Sequence, residues 1–207
     1  MSLSFSKTDI LFLQRILAVS GFYTGPLNGK WNKDVDKAEI KFEDRFNKIK
    51  AAEGAVDLRS EKNIGTMIPA TQVLARRFLK AAAGFKFNCR IISGTRTYAE
   101  QNALDAIGRT RSGSKVTNAR GGGSNHNFCI AWDVGLFDKT SGRYLTGATS
   151  AESKAYRDLA ALIKSKVSGL EWGGNWKSFK DQPHYQVATG KTLSQIRALF
   201  EKGKPYI

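Results

Sequence analysis

Between residues 8 and 20 the chain places apolar side chains at Ile10, Leu11, Leu13, Ile16, Leu17 and Val19. That three-and-four spacing makes one face of a helix, with Thr8 as the expected N-cap and Gly21 as the stop. A turn-rich stretch follows, GFYTGPLNGKW, punctuated by Gly25-Pro26 and Asn28-Gly29. The next periodic segment predicts a helix from about Lys33 to Ile49, with Val35, Ala38, Phe42, Phe46 and Ile49 as its inner stripe. Residues 50–60 are mixed and polar around Gly54, and a boundary is expected there. Beyond it the pattern predicts a helix over Glu61–Ala83, a strand over Phe87–Ile92, and a helix over Thr97–Ile107. A loop rich in Gly, Ser and Arg should run from Thr110 to Asn127. A strand over Phe128–Phe137, a helix over Glu152–Val167, a short strand over His184–Val187 and a closing helix over Ser194–Lys202 complete the reading. Helices and short strands mix without a regular strand–helix–strand alternation, which argues for an α+β fold. The expectation is a small helical domain over residues 1–54, then a domain over 55–207 with a short central antiparallel sheet flanked by helices.

Composition narrows what such a chain can do. Hydrophobic residues make up 41% of the 207, enough for a real core, and no run of 18 apolar residues suggests a membrane span. The start, MSLSFSKTDILFLQ, lacks the basic-then-apolar pattern of a signal peptide, so synthesis in a cytosol is expected, and work outside it would need another means of release. Net charge is +15 and unevenly spread: residues 1–55 hold 9 basic and 7 acidic side chains, the rest 24 and 11. Such a balance suits an anionic partner, whether nucleic acid, an acidic membrane surface or a bacterial wall. No helix-turn-helix, zinc-finger or ribonucleoprotein signature accompanies it, so nucleic acid is not the expected partner. Two cysteines, Cys89 and Cys129, cannot form a disulfide framework; they read as reduced thiols, and the sequence leaves one bridge between them open.

The chain has only two histidines, and each falls near an aspartate. In SNHNFCIAWDVG, His126 precedes a strand that carries Asp133. Alternation along that strand puts Phe128, Ile130, Trp132, Val134 and Leu136 on one face, and Cys129, Ala131, Asp133 and Gly135 on the other. The second face is small except for Asp133, leaving room for a metal or substrate beside the carboxylate. In DQPHYQV, His184 begins a strand and Asp181 stands three residues earlier, with Pro183 stiffening the link. A hydrolytic zinc site needs three protein ligands and an open position, which His126, Asp133 and His184 can supply. It also needs a carboxylate off the metal to take a proton, a role open to Asp181. Gln101 shares a helix face with Thr97 and Leu104, and helps the site or lies on the surface. Trp172 and Trp176, around Gly173-Gly174, are pocket wall or core.

Two resemblances extend this reading. Residues 13–46, with Leu13-Gln14, Gly21-Phe22-Tyr23, Gly25, Asn28-Gly29 and Phe42, resemble the peptidoglycan-binding domain of wall hydrolases, although Lys33 and Val35 replace an expected Gly and Thr. Residues 57–200 resemble the zinc D,D-carboxypeptidase and L-alanyl-D-glutamate endopeptidase family, including the peptidases of phage endolysins. The matching blocks are LRSEKNIGTMIP, ISGTRTYAEQNAL, TNARGGGSNHNFCIAWDVGLF and GLEWGGNWKSFKDQPHYQ. This likeness implies Zn2+ held by His126, Asp133 and His184, with Asp181 as catalytic base. It also implies a substrate arginine at Arg96, whose guanidinium can grip a carboxylate or steady an oxyanion. Ser93 and Ser124, inside the matched blocks, join Gln101 and Trp172 as substrate-binding candidates. Cys129 departs from the glycine usual at its position, and inert packing is expected of it. The implied activity is a monomeric, phage-type wall hydrolase that cleaves the L-alanyl-D-glutamate bond after release to the wall. Peptidoglycan would be both substrate and anchor, without membrane insertion. Rival readings are a D,D-carboxypeptidase, or a non-catalytic wall-binding protein with a structural zinc, which would need no base at Asp181.

Overall fold

In the computed structural model, which describes residues 6–207, seven helices and five strands form. They are α1 (Lys7–Val19), α2 (Lys33–Glu53), α3 (Leu58–Ile64), α4 (Pro69–Ala82), β1 (Asn88–Ser93) and α5 (Tyr98–Ala106). Then come β2 (Ala131–Phe137), β3 (Tyr144–Leu145), α6 (Ser150–Lys166), β4 (Leu170–Trp172), β5 (His184–Val187) and α7 (Leu193–Glu201). The α+β expectation holds. The chain folds into two compact units, and the division does not follow one cut of the sequence. One unit gathers the described residues up to Lys48 with Arg96–Cys129 and Gly190–Ile207; the other gathers Ile49–Thr95 and Ile130–Thr189. Among the described residues no helix is long and apolar enough to cross a membrane.

In the first unit α1 starts earlier than expected. Ser6, not Thr8, is the N-cap, because Ser6 and Asp9 close a reciprocal capping box. Leu17, Tyr23, Val35 and Ala38 form the buried cluster between α1 and α2, with Leu13, Phe22, Leu27 and Phe42 against it. Gln14 is fully buried and plugs the intervening loop: its Oε1 accepts from Asn28 N at 3.0 Å and Gly29 N at 2.9 Å, and its Nε2 donates to Lys30 O at 2.9 Å. The leucine-glutamine pair is thus explained as one apolar and one polar anchor of the same turn. Gly29 has φ +69°, and a Cβ there would sit 2.4 Å from Lys7 O, so only glycine fits. On the other side of α1, Phe12 packs edge-to-face on Tyr98 of α5 and on Phe200 of α7, with ring centroids 6.1 and 5.4 Å away. Phe200 in turn meets Phe128 at 5.4 Å.

The second unit is built on an antiparallel sheet ordered β1-β2-β5-β4, with β3 paired to β2. The expected helix over Glu61–Ala83 is two helices. Pro69 opens α4, and Ile68 before it is held extended at ψ 154°, as a residue preceding proline should be. The sheet's apolar face carries Trp132 and Tyr185, which stack 15° from parallel and meet Phe78 of α4. A buried two-pronged ion pair joins α3 to α4: both Arg76 terminal nitrogens lie 2.8 Å from the Glu61 carboxylate, which also accepts Val56 N.

Candidate active site

The strand expected from Phe128 begins only at Ala131. Asn125–Phe128 forms a short 3-10 helix, capped by Ser124, whose side chain accepts from His126 N at 3.4 Å. It ends on Cys129, which has φ +61° and is the sole non-glycine at positive φ among the described residues. That is the backbone a glycine takes freely and other residues take at a cost of about 1–2 kcal/mol, a physical reason to expect glycine at this position. Cys129 is fully buried, and no disulfide joins it to Cys89. The turn aims His126 inward, leaving it 2% exposed.

Arg96 belongs to the same unit as His126 and is held on several sides. Its backbone N–H donates to His126 O at 3.1 Å, and Asn127 Nδ2 donates to its carbonyl at 2.9 Å. Its guanidinium reaches Gln101 Oε1 at 3.1 Å and His126 Nε2 at 3.3 Å. Gln101 is no surface residue. It is fully buried and anchored through its Nε2 to Ala119 O at 2.8 Å, so it acts as the bracket for Arg96. Thr97, capping α5 in a box with Glu100, fixes where the helix starts and therefore where Arg96 points.

In the other unit the sheet register sets Asp133 opposite His184. His184 Nδ1 lies 3.2 Å from Asp133 Oδ1, and its Nε2 lies 3.1 Å from Gln186 Oε1. Burial, the largest single influence, depresses the His184 pKa. The Asp133 hydrogen bond and charge, the Gln186 contact and the charge of Asp181 outweigh it and leave the value raised above 6.5. Asp181 is tied into the turn before His184: its N–H donates to Gly173 O at 3.1 Å and its carbonyl accepts His184 N at 3.3 Å. Both glycines of Gly173-Gly174 are required by close approach. A Cβ on Gly173 would lie 2.6 Å from Asp181 O, and one on Gly174 would lie 2.2 Å from the Trp172 ring. Trp176 packs on the His184 imidazole with centroids 4.9 Å apart. Trp172 and Trp176 line, with Arg157, Lys164 and Tyr185, a groove of about 650 Å³ whose lining includes none of Arg96, His126, Asp133, Asp181 or His184. Ser93 ends β1 opposite Asp133 in the register.

One ligand atom from each of His126, Asp133 and His184 lies within 4.8 Å of those of the other two. Two imidazoles and one carboxylate are a donor set suited to a hydrolytic zinc site with an open position. Zinc bonds of about 2.0–2.2 Å at tetrahedral angles set neighbouring ligand atoms about 3.3–3.6 Å apart, close to the 3.2 Å between His184 Nδ1 and Asp133 Oδ1. The donor set and this one spacing suit a metal. Gln186, Asn127 and Glu171 were not among the expected metal or substrate residues. Strand alternation carried the signal for Gln186, which stands two residues after His184 and so shares its face.

The comparisons with known proteins bear out the peptidase resemblance. Residues 117–187 match the peptidase M15 family described as D-alanyl-D-alanine carboxypeptidase, a stretch that includes His126, Asp133, Asp181 and His184 but not Arg96. Over 111 residues, 53% of the chain, the sequence is 39% identical to the peptidoglycan L-alanyl-D-glutamate endopeptidase CwlK of Bacillus subtilis (strain 168), and the match covers 66% of that relative. Among solved structures, the L-Ala D-Glu endopeptidase ChiX of Serratia marcescens matches with a TM-score of 0.46 and 24% identity, over 64% of this chain and 88% of that one. M15 peptidases are metalloenzymes, and the His–Asp–His cluster supplies a possible metal site here.

Proposed function

We propose that this protein is a zinc-dependent endopeptidase that cleaves the L-alanyl-D-glutamate bond of the peptidoglycan stem peptide. The observation that carries the reading is the convergence of His126, Asp133 and His184 within 4.8 Å, inside the segment matched to the M15 peptidases. The name of the Bacillus relative supplies the bond.

Zinc bound to His126, Asp133 and His184 would supply Lewis-acid polarisation of the scissile carbonyl and lower the pKa of a water to about 7. The chain's own residues do the rest. Asp181, fixed by Gly173 and by the turn into His184, accepts the proton of the attacking water and passes it to the leaving amine. Arg96, held by Gln101, offers donors to the oxyanion that develops on the carbonyl or to a substrate carboxylate. Trp176 shields one side of His184. Residues 1–54 serve as the wall anchor, and the basic surplus of the remainder draws the enzyme to an anionic wall. The protein works as a phage-type endolysin, made in the host cytoplasm and acting on the wall after release.

Mass spectrometry of purified muropeptides after digestion tests this reading. The expected products end in free L-alanine carboxyl and begin with D-glutamate. Chelation should abolish their appearance, and zinc should restore it. Release of terminal D-alanine would instead support the carboxypeptidase reading, and intact muropeptides the non-catalytic one.

A further inference from the structure

His184 has two ring nitrogens, and a metal can use only the one that carries a lone pair. On β5, His184 and Gln186 stand two residues apart and share a face. Glu171 of β4 lies opposite Gln186 in the register. Gln186 Nε2 donates to Glu171 Oε2 at 2.7 Å, and Gln186 Oε1 lies 3.1 Å from His184 Nε2. These contacts have only one consistent direction. A carboxylate accepts, so the amide nitrogen of Gln186 faces Glu171. The amide oxygen is left facing His184 Nε2 and can only accept, so Nε2 carries the hydrogen. The nitrogen left for a metal is then Nδ1, which without a metal donates its own hydrogen to Asp133 Oδ1 at 3.2 Å and gives it up when a metal binds.

We propose that Gln186, oriented by Glu171, is a positioning residue that selects the His184 tautomer able to bind the metal through Nδ1. The proposal rests on the metal-site reading above but not on the cleaved bond. Partners of this kind fix the ring and the tautomer of ligating histidines, and their loss costs about 10–100-fold in metal affinity. Glu171 sits at the exposed edge of the sheet, so its removal should weaken the selection less than removal of Gln186.

The test uses the full chain and two readouts that need no catalysis. Zinc affinity is measured by competition with a chromophoric chelator, and the His184 tautomer by nitrogen NMR, which two histidines make simple to assign. Wild type loaded with zinc should show His184 coordinated through Nδ1 with a proton on Nε2. Gln186→Leu should bind zinc about 10–100-fold more weakly, with little change in the melting temperature of the metal-free protein. Glu171→Ala should show a smaller loss in the same direction. The exchanged pair, Gln186→Glu with Glu171→Gln, keeps an acceptor on Nε2 and a donor to the carboxylate, and should restore affinity. Unchanged zinc affinity in Gln186→Leu, a proton on Nδ1 in the zinc-loaded wild type, or no zinc binding at all would each overturn the proposal. A protein that passes both readouts yet cleaves no muropeptide upholds the relay and refutes the peptidase reading.

Discussion

Gly173 and Asp181 meet backbone to backbone: the Asp181 N–H donates to Gly173 O at 3.1 Å, and a Cβ on Gly173 would stand 2.6 Å from Asp181 O. The same Cβ would be 3.0 Å from the His184 Cβ. Glycine at 173 therefore lets one turn carry both the proposed base and a proposed metal ligand.

Gly173→Ala should push this turn aside without emptying the core. A displacement near 1 Å at a catalytic group can cost about 100-fold in rate. The expected outcome is a folded protein whose muropeptide cleavage falls by at least about 10-fold. Cleavage rate and melting temperature measured on the same sample check this, and an unchanged rate would show that the turn tolerates the extra atom.

Arg76 and Glu61 form the buried pair that joins α3 to α4, with the Arg76 side chain fully buried. Burial, the largest influence on Glu61, pushes its carboxyl up. The hydrogen bonds from Arg76 and from Val56 N, and the charges of Arg76 and Lys50, outweigh it, and the net pKa is lowered below 4.5. A lowered carboxyl pKa stabilises the fold above the unfolded value and loses that contribution as pH falls through the folded one. Removing one partner of a buried pair costs about 3–5 kcal/mol. Arg76→Leu should lose an amount of that order near pH 7, and the gap to wild type should narrow below about pH 4.5. Urea denaturation at several pH values measures it.

Phe12 links α1 to the framework that carries Phe128, through Phe200. It is 8% exposed, and Phe→Ala at such a site costs about 3–5 kcal/mol. Phe12→Ala should lose stability of this order by urea denaturation. Deletion of residues 1–54 should uncover Phe200 and Tyr98, lowering stability as well as binding to purified walls. A shortened chain as stable as the full one would make the N-terminal segment an appendage with wall binding as its whole role.

Long periodic segments were legible in the sequence. The inner stripe of α2 and the bounds of β5 are as expected, because many residues repeat one pattern or a strand is bracketed by Pro183 and a glycine turn. Strands β3 and β4 have two and three residues, too few for alternation to register. Pro69 held the signal that splits Glu61–Ala83, and the apolar periodicity on both sides masked it. The histidine–aspartate constellation was readable because histidine is so scarce here. The buried polar groups that brace the fold and Arg96 were not: Gln14, Gln101 and Arg76 meet partners 14 or more residues away, apart from Gln14's contact with Tyr23 and Gln101's with Arg96. Local pattern cannot place such partners.

The central claim is that a metal and Asp181 do separate work in one hydrolytic site. The measurement that tests it most directly is zinc content and muropeptide cleavage rate on one preparation of Asp181→Ala. The account predicts about one zinc per chain, as in wild type, and a rate lower by about 10²–10⁴-fold, the usual worth of a general base. Asp181→Asn should match it, while Asp133→Ala should lose zinc and activity together. An Asp181→Ala protein that keeps both its zinc and its turnover would contradict the account.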